Sequence, residues 1–151
     1  MWLYDGKEYS EIGEYIGYVY LITNLTNNRK YIGKKNFYFS RTKMVKGKKK
    51  KFKVESDWKT YYGSNKELVE DVEKIGAENF KREILRLCMT KAEFGYYEAK
   101  LQFQHNVLEN EEYYNSFIMC RVNKKHLQSL FAPQKVVDKK TKKKYYKNKP
   151  V

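Results

Sequence analysis

The sequence YVYLITNLTNNRKYIGKK, residues 18–35, has the pattern of a β-hairpin. Its first arm alternates aromatic and β-branched residues, which favour strands, and it ends in a cluster of Asn and Thr residues that is typical of turns. The second arm begins at Lys30. Tyr20 and Tyr31 lie on opposite arms, so antiparallel pairing in the right register would place their phenols on one face, within reach of each other.

Two helices and a third strand are predicted after this hairpin. Residues 64–67, Ser-Asn-Lys-Glu, form a capping box before an apolar stripe that ends at Gly76, and residues 90–93, Thr-Lys-Ala-Glu, cap a second helix. Residues 80–88, which lie between the helices, are expected to pair beside the hairpin. The predicted fold class is α/β, a small and mainly antiparallel sheet of about three strands flanked by helices.

The net charge of +14 is concentrated in two segments. Residues 41–53 contain eight Lys or Arg and no acid, and residues 134–151 contain eight Lys and one Asp, so the rest of the chain sums to −1. Two runs of one sign on a near-neutral domain favour contact with a polyanion, and a merely solubilising surface is the alternative. We predict a mobile loop or a short basic ribbon at 43–53.

The composition argues against several other classes of protein. Cys88 and Cys120 are too few for a disulfide framework, and two Cys and two His at this spacing cannot form a zinc site. The N-terminus lacks a secretory pattern, and no apolar run approaches the roughly 18 residues of a membrane span. We therefore expect a soluble protein of the cytoplasm without membrane contact or a disulfide-linked partner. Cys88 is expected to be a small core residue.

The two arms of the hairpin carry a family signature. Tyr18-Val19-Tyr20, followed after a short turn by Tyr31-Ile32-Gly33 and Lys34, resembles the motif of the GIY-YIG nucleases. The first half departs from the family pattern, because Tyr-Val-Tyr replaces the usual Gly-Ile-Tyr and Gly17 lies one place earlier. The resemblance covers roughly residues 15–120. It implies hydrolysis of a DNA phosphodiester with one divalent metal, Mg²⁺, for which Mn²⁺ could substitute.

The resemblance also implies roles for particular residues of the hairpin and its continuation. Tyr20 or Tyr31 would orient or deprotonate the attacking water, with help from Lys34, and the sequence leaves open which tyrosine does so. Arg41 lies ten residues after Tyr31, at the family spacing for an arginine whose planar fork holds phosphate oxygens. A small error in register would exchange the roles of Arg41 and Lys43.

Two further positions match the family in the second half of the chain. Glu98 lies on or beside the predicted inner face of the second helix, where a carboxylate is costly to bury unless it is paired or binds a cation. It corresponds to the family's metal-binding glutamate, and an edge glutamate in a salt bridge is the alternative. Asn115 resembles the asparagine that orders the site, although it could equally cap a turn.

Some relatives have a histidine in this site, whereas this chain has none before His105. Tyr61 or Tyr62 is expected to take its place, and the sequence does not decide between them. Trp58, which precedes them, is expected to anchor the basic insertion to the core and not to stack on nucleotides.

The predicted organisation is a lead segment at 1–14, a nuclease domain at 15–125 with a basic insertion at 41–53, and a flexible basic tail at 126–151. The lysines expected to bind double-stranded DNA are Lys43, Lys46, Lys48, Lys49, Lys50, Lys51, Lys53, Lys139, Lys140, Lys142, Lys143 and Lys144. A short chain of this kind resembles the free-standing phage homing endonucleases, which would place it in the host cytoplasm. The alternatives are a structure-specific or restriction-like nuclease of the same fold, and a non-catalytic nucleic-acid-binding protein.

Overall fold

The computed structural model describes residues 1–121 and, of the remaining chain, the two strands at 134–137 and 144–147. Residues 1–120 form one compact unit. Its strands and helices are β1 (Trp2–Tyr4), β2 (Lys7–Tyr9), β3 (Gly17–Asn24), β4 (Lys30–Asn36), β5 (Tyr38–Val45), β6 (Lys48–Glu55), α1 (Lys66–Ile75), β7 (Phe80–Cys88) and α2 (Lys91–Gln104). Five of the strands form one sheet in the order β2-β1-β7-β3-β4, and β5 and β6 form a separate two-stranded ribbon.

The predicted hairpin is confirmed. β3 and β4 pair antiparallel with Tyr20 opposite Gly33 and Ile22 opposite Tyr31, so both tyrosines lie on the same face of the sheet. Their ring centroids are 6.1 Å apart. The third predicted strand is also confirmed, because β7 pairs antiparallel with the other side of β3.

The sheet has five strands and not the three predicted, because the N-terminal segment contributes two. β1 pairs parallel with β7 and antiparallel with β2. Each of these strands is only three residues long, too short to show a hydrophobic period in the sequence. Trp2 is buried and its indole nitrogen donates to the Trp58 carbonyl at 2.6 Å. Trp2 therefore packs into the core, with Tyr9 partly buried against it, and buried Trp58 is the anchor that the sequence predicts.

Both faces of the central strand β3 are covered, which explains its almost continuous burial. One face packs into an aromatic core that includes Trp2, Tyr18, Tyr20, Phe37 and Trp58. The other face packs against α2 and the chain that follows it, through Val19, Ile32, Cys88, Phe94 and Val107. Cys88 is thus the core residue that the sequence predicts.

The two helices begin close to the predicted positions. Asn65, and not Ser64, is the N-cap of α1, and its Oδ1 accepts a hydrogen bond from the Leu68 amide at 3.0 Å. Thr90 caps α2 in the same way through the Glu93 amide at 3.2 Å. α2 ends at Gln104. Neither helix is long and apolar enough to cross a membrane.

The basic insertion forms a ribbon, which is one of the two forms predicted for it. β5 and β6 pair from Tyr38 opposite Glu55 to Val45 opposite Lys48. The turn between them is Lys46-Gly47, and both residues have positive φ, 49° and 77°, as tight hairpin turns require. All of β6 is exposed, so the ribbon has almost no share in the core.

Residues 121–151 form a second unit. Within it β8 (Gln134–Val137) and β9 (Lys144–Lys147) pair antiparallel, where the sequence predicts a flexible tail. The remaining residues of the predicted tail lie outside the part of the chain that the structure describes.

Close packing at Gly33 gives a stability prediction. A Cβ at this position would lie 2.6 Å from the Tyr20 Oη and 2.8 Å from the Tyr31 Cε1, so Gly33→Ala should lower the free energy of unfolding by about 1–3 kcal/mol. A Cβ at Gly95, inside α2, would approach only the Lys34 Nζ among the described residues beyond its own stretch of helix, at 3.9 Å. Gly95→Ala should therefore raise the free energy of unfolding by about 0.5–1 kcal/mol. Urea unfolding of the two variants measures both, and equal effects would contradict the packing at the hairpin.

Candidate active site

A cavity of about 270 Å³ opens beside β4, the last strand on its side of the sheet. Its walls come from β4, the start of α1, α2 and the chain that follows residue 114. The lining residues are Tyr31, Lys34, Ser64, Asn65, Glu98, Gln102, Asn115, Ser116, Phe117 and Met119. Four of the six residues predicted to be catalytic, Tyr31, Lys34, Glu98 and Asn115, therefore meet here.

Asn115 orders the cavity wall by binding the free backbone edge of β4. Its Oδ1 accepts from the Ile32 amide at 3.0 Å, and its Nδ2 donates to the Ile32 carbonyl at 2.8 Å. Just before it, the Lys30 amide donates to the Glu112 carbonyl and the Tyr114 amide donates to the Lys30 carbonyl, each at 2.7 Å. The side chain thus continues a strand-like pairing and is not a turn cap.

Glu98 projects from α2 into this cavity and is partly buried. Burial raises the pKa of its carboxyl group, and the Lys34 ammonium and backbone act in the opposite direction by favouring the charged form. No ion pair holds this carboxylate within 4.0 Å among residues 1–121. The position therefore favours an additional cation beside Glu98 over the edge salt bridge that the sequence leaves open.

Tyr31 is the signature tyrosine that lines the cavity. Its hydroxyl lies 3.4 Å from the Ser64 Oγ. Burial raises the pKa of Tyr31, and the nearby Glu98 charge raises it further, so the phenol is neutral near pH 7. A neutral hydroxyl can orient a water molecule by donating to it or accepting from it.

Tyr20 lies behind Tyr31 and is completely buried. Its ring is in edge-on contact with Tyr61 at 5.9 Å between centroids, and burial raises the pKa of its phenol well above the ordinary value. Tyr62 instead packs under the Arg82 guanidinium, 4.2 Å from its ring centroid. Tyr61, and not Tyr62, is therefore the tyrosine placed beside the signature pair.

Arg41 is not among the residues that line the cavity. It lies in the ribbon, exposed, with its guanidinium 5.2 Å from the Phe39 ring centroid. Lys43 is likewise exposed on the ribbon, 5.4 Å from the Phe52 ring centroid. The tenth residue after Tyr31 lies in the insertion. Because an extended strand rises about 3.3 Å per residue, Arg41 and Lys43 lie out along the ribbon.

The lysines predicted to bind DNA divide into two groups. Those of the insertion are exposed along β6, on β5 and in the turn of the ribbon. Lys144 begins β9. The other tail lysines named above, Lys139, Lys140, Lys142 and Lys143, lie outside the described residues.

Four polar residues of this cavity were not predicted as site residues from the sequence: Ser64, Asn65, Gln102 and Ser116. Gln102 is buried although it lies on the same helix as Glu98, four residues later. That spacing is about one helical turn, so the sequence alone places this polar residue on the same face of the helix as Glu98. Ser64 and Asn65 were predicted only as parts of a capping box, and Ser116 follows Asn115, so nothing in their spacing marks them as site residues.

The cavity offers a metal ion one carboxylate. Across residues 1–121 no group of three or more His, Cys, Asp or Glu side chains is placed to hold a metal. A cation at Glu98 would take its other ligands from neutral oxygens, water and substrate phosphate, a ligand set that suits Mg²⁺.

Comparison with known proteins identifies the family. Residues 2–118 match the family model described as "Putative endonuclease segE, GIY-YIG domain", which covers well over half of the chain. No curated protein and no solved structure matches. The matched range contains both halves of the hairpin signature, the ribbon and every residue that lines the cavity except Met119. GIY-YIG nucleases generally use divalent metal ions. The chain belongs to the GIY-YIG family and is an endonuclease of that family.

Proposed function

We propose that this endonuclease is a Mg²⁺-dependent enzyme that hydrolyses DNA phosphodiester bonds and acts in the host cytoplasm as a phage homing endonuclease. The supporting observation is the cavity beside β4, in which Tyr31, Lys34, Glu98 and Asn115 meet from three separate parts of the chain. A partly buried carboxylate, a cation and a neutral hydroxyl around one opening suit the hydrolysis of a phosphate ester.

Glu98 would hold the metal ion. The residues present fit such an ion, because the carboxylate is partly buried with a raised pKa and the other cavity walls carry neutral oxygens. When bound, Mg²⁺ supplies positive charge to the scissile phosphate and to the leaving 3′-oxygen. Mn²⁺, which accepts the same oxygen ligands, would substitute for it.

Tyr31 would orient the attacking water. Tyr31 lines the cavity and its hydroxyl lies beside Ser64, another lining residue, whereas Tyr20 is completely buried, so the position of the two side chains supports Tyr31 for this role. The raised pKa of Tyr31 makes a phenolate rare near pH 7 and favours orientation over proton abstraction. Tyr20 and Tyr61 would fix the Tyr31 ring from behind.

Lys34 and Asn115 would complete the site in different ways. Lys34 is exposed, and its ammonium is close enough to Glu98 to oppose the rise that burial causes in the pKa of that carboxyl group. The same ammonium could also contact a phosphate oxygen. Asn115 would act through β4, since both of its polar atoms are used to hold Ile32. It is a positioning residue.

The ribbon would bind the DNA duplex outside the cavity. Cross-strand partners share a face, so the register divides its cations into an Arg41 face, consisting of Arg41, Lys43, Lys48 and Lys50, and a Lys51 face, consisting of Lys49, Lys51 and Lys53. Lys43 and Lys50 are direct cross-strand partners, and like charges in that position repel each other. A phosphate backbone would relieve this repulsion, and a two-stranded ribbon fits the major groove.

Arg41 is proposed as a phosphate contact of this ribbon, with its planar fork on the backbone of the duplex. The Arg41 face carries four cations and no acid, whereas the Lys51 face carries three and includes Glu55 at its base. We therefore propose that the Arg41 face lies against the DNA. The tail lysines would add further contacts that do not depend on sequence.

Cleavage of a panel of linear, supercoiled and branched DNA tests the reaction directly. We expect cleavage with Mg²⁺ or Mn²⁺ and none with EDTA. Preference for branched over linear DNA would indicate a structure-specific nuclease. Intact DNA in every reaction would contradict the proposed activity.

The carboxylate of Glu98 gives a second test. Glu98→Gln should slow Mg²⁺-dependent cleavage about a thousandfold, equivalent to about 4 kcal/mol, because the metal loses its charged ligand. DNA affinity in EDTA should hold or rise, since a negative charge leaves the site. Because the pKa of Glu98 is raised in the folded protein, ionisation of this group lowers the free energy of unfolding as pH rises. Glu98→Gln cannot ionise, so its free energy of unfolding at pH 7 should equal or exceed that of the wild type. Lost stability with normal cleavage would indicate a structural glutamate.

The two signature tyrosines form a matched pair of variants. Tyr31→Phe should reduce the single-turnover cleavage rate about a hundredfold or more, because it removes the hydroxyl that faces the cavity. Tyr20→Phe should change the rate much less and lower the free energy of unfolding by about 1 kcal/mol, because its hydroxyl is buried. The reverse order of rates would reassign the water-orienting role to Tyr20.

Salt dependence distinguishes the two ribbon faces. Replacing Lys43, Lys48 and Lys50 with Gln should flatten the slope of log K against log salt by about 2.7, because each phosphate contact contributes about 0.9. The same change at Lys49, Lys51 and Lys53 removes an equal charge and should have a much smaller effect. Unchanged slopes in both triple variants would show that the ribbon does not touch DNA.

A further inference from the structure

Gln102 is a buried amide in the wall of the proposed active site. It is 5% exposed and follows Glu98 by one turn of α2, and both side chains line the same cavity. Most buried helix positions hold apolar residues, so a buried glutamine at this place calls for a physical reason.

The orientation of this amide is fixed by its neighbours. Its Nε2 donates to the Ile32 carbonyl at 2.9 Å, and the Asn115 Nδ2 donates to the same carbonyl at 2.8 Å. Rotating the amide by half a turn would bring Oε1 against the Ile32 carbonyl oxygen, which cannot donate a hydrogen bond. The Oε1 atom is therefore held on the side away from the strand.

No protein group binds this oxygen. In residues 1–121, Gln102 Oε1 is the one buried side-chain nitrogen or oxygen without a hydrogen-bond partner. Ionised Glu98 carries only acceptors, so it cannot satisfy a second acceptor. A buried oxygen left without a partner costs free energy, and a bound ion or water is the usual explanation.

We propose that Gln102 Oε1 is a second protein oxygen for the divalent cation held by Glu98. This inference rests on the proposed function, in which Glu98 binds that cation. A carboxylate and an amide oxygen one helical turn apart are hard ligands of the kind that Mg²⁺ and Mn²⁺ prefer. The Ile32 carbonyl, by fixing the amide nitrogen, fixes the direction of the oxygen as well.

Mn²⁺ binding to the full-length protein, measured by calorimetry without DNA, tests the inference. Gln102→Met removes the oxygen and should weaken Mn²⁺ binding about tenfold. It should leave thermal unfolding in EDTA unchanged or slightly improved, because Asn115 still satisfies the Ile32 carbonyl. Gln102→Glu adds a carboxylate beside Glu98 and should tighten Mn²⁺ binding while lowering the unfolding temperature in EDTA.

Gln104→Glu is the matched control, because it adds the same charge to an exposed position at the end of the same helix. It should leave Mn²⁺ affinity unchanged. Wild-type affinity in both Gln102 variants, with weaker binding in Glu98→Gln, would overturn the role of Gln102 and leave the Glu98 site intact. An Mn²⁺ titration that Glu98→Gln does not alter would overturn the metal site of the proposed function and this inference with it.

Discussion

The free backbone edge of β4 is the constraint on which the site depends. An edge strand presents amides and carbonyls that must find partners, and it otherwise invites pairing with other chains. Here the main chain of residues 112–114 binds Lys30, and the side chains of Asn115 and Gln102 bind Ile32. Pairing then stops, and the edge opens into the cavity beside Lys34. The same contacts that protect the edge therefore also position the active-site wall.

The cavity lies where the two faces of the sheet meet. Tyr31 belongs to the aromatic face, and the next residue, Ile32, belongs to the face covered by α2. Lys34 is on the α2 side as well, with its ammonium 5.0 Å from the Phe94 ring centroid. At an interior strand these two faces would be separated by the sheet. At the last strand they share one opening, so in the proposed function a phenol from one face and a carboxylate from α2 can act on the same phosphate.

The sequence predicted those parts of the fold that have a strong local pattern. The hairpin, β7 and both helices follow from alternation, caps and periodicity, and the signature led to Glu98 and Asn115 on separate elements. Strands of three residues, such as β1, are too short for such a pattern. Arg41 was assigned to the site from its spacing alone. Spacing cannot show that this residue lies on a ribbon that is separate from the main sheet. Gln102 was missed because its role depends on the carbonyl of Ile32, a contact between residues 70 positions apart.

In the proposed function, the location of charge separates DNA affinity from the chemistry of cleavage. The cavity contains one carboxylate and one ammonium and thus has little net attraction for a polyanion. The ribbon, by contrast, is exposed, carries cations on both faces and contributes almost nothing to the core, so in the proposed function its charge is accessible to DNA. Because exposed charges are screened by salt, ionic strength should act mainly on DNA binding. Glu98 is partly buried, so in the proposed function the step at this carboxylate should depend much less on salt, and binding and cleavage could be varied independently.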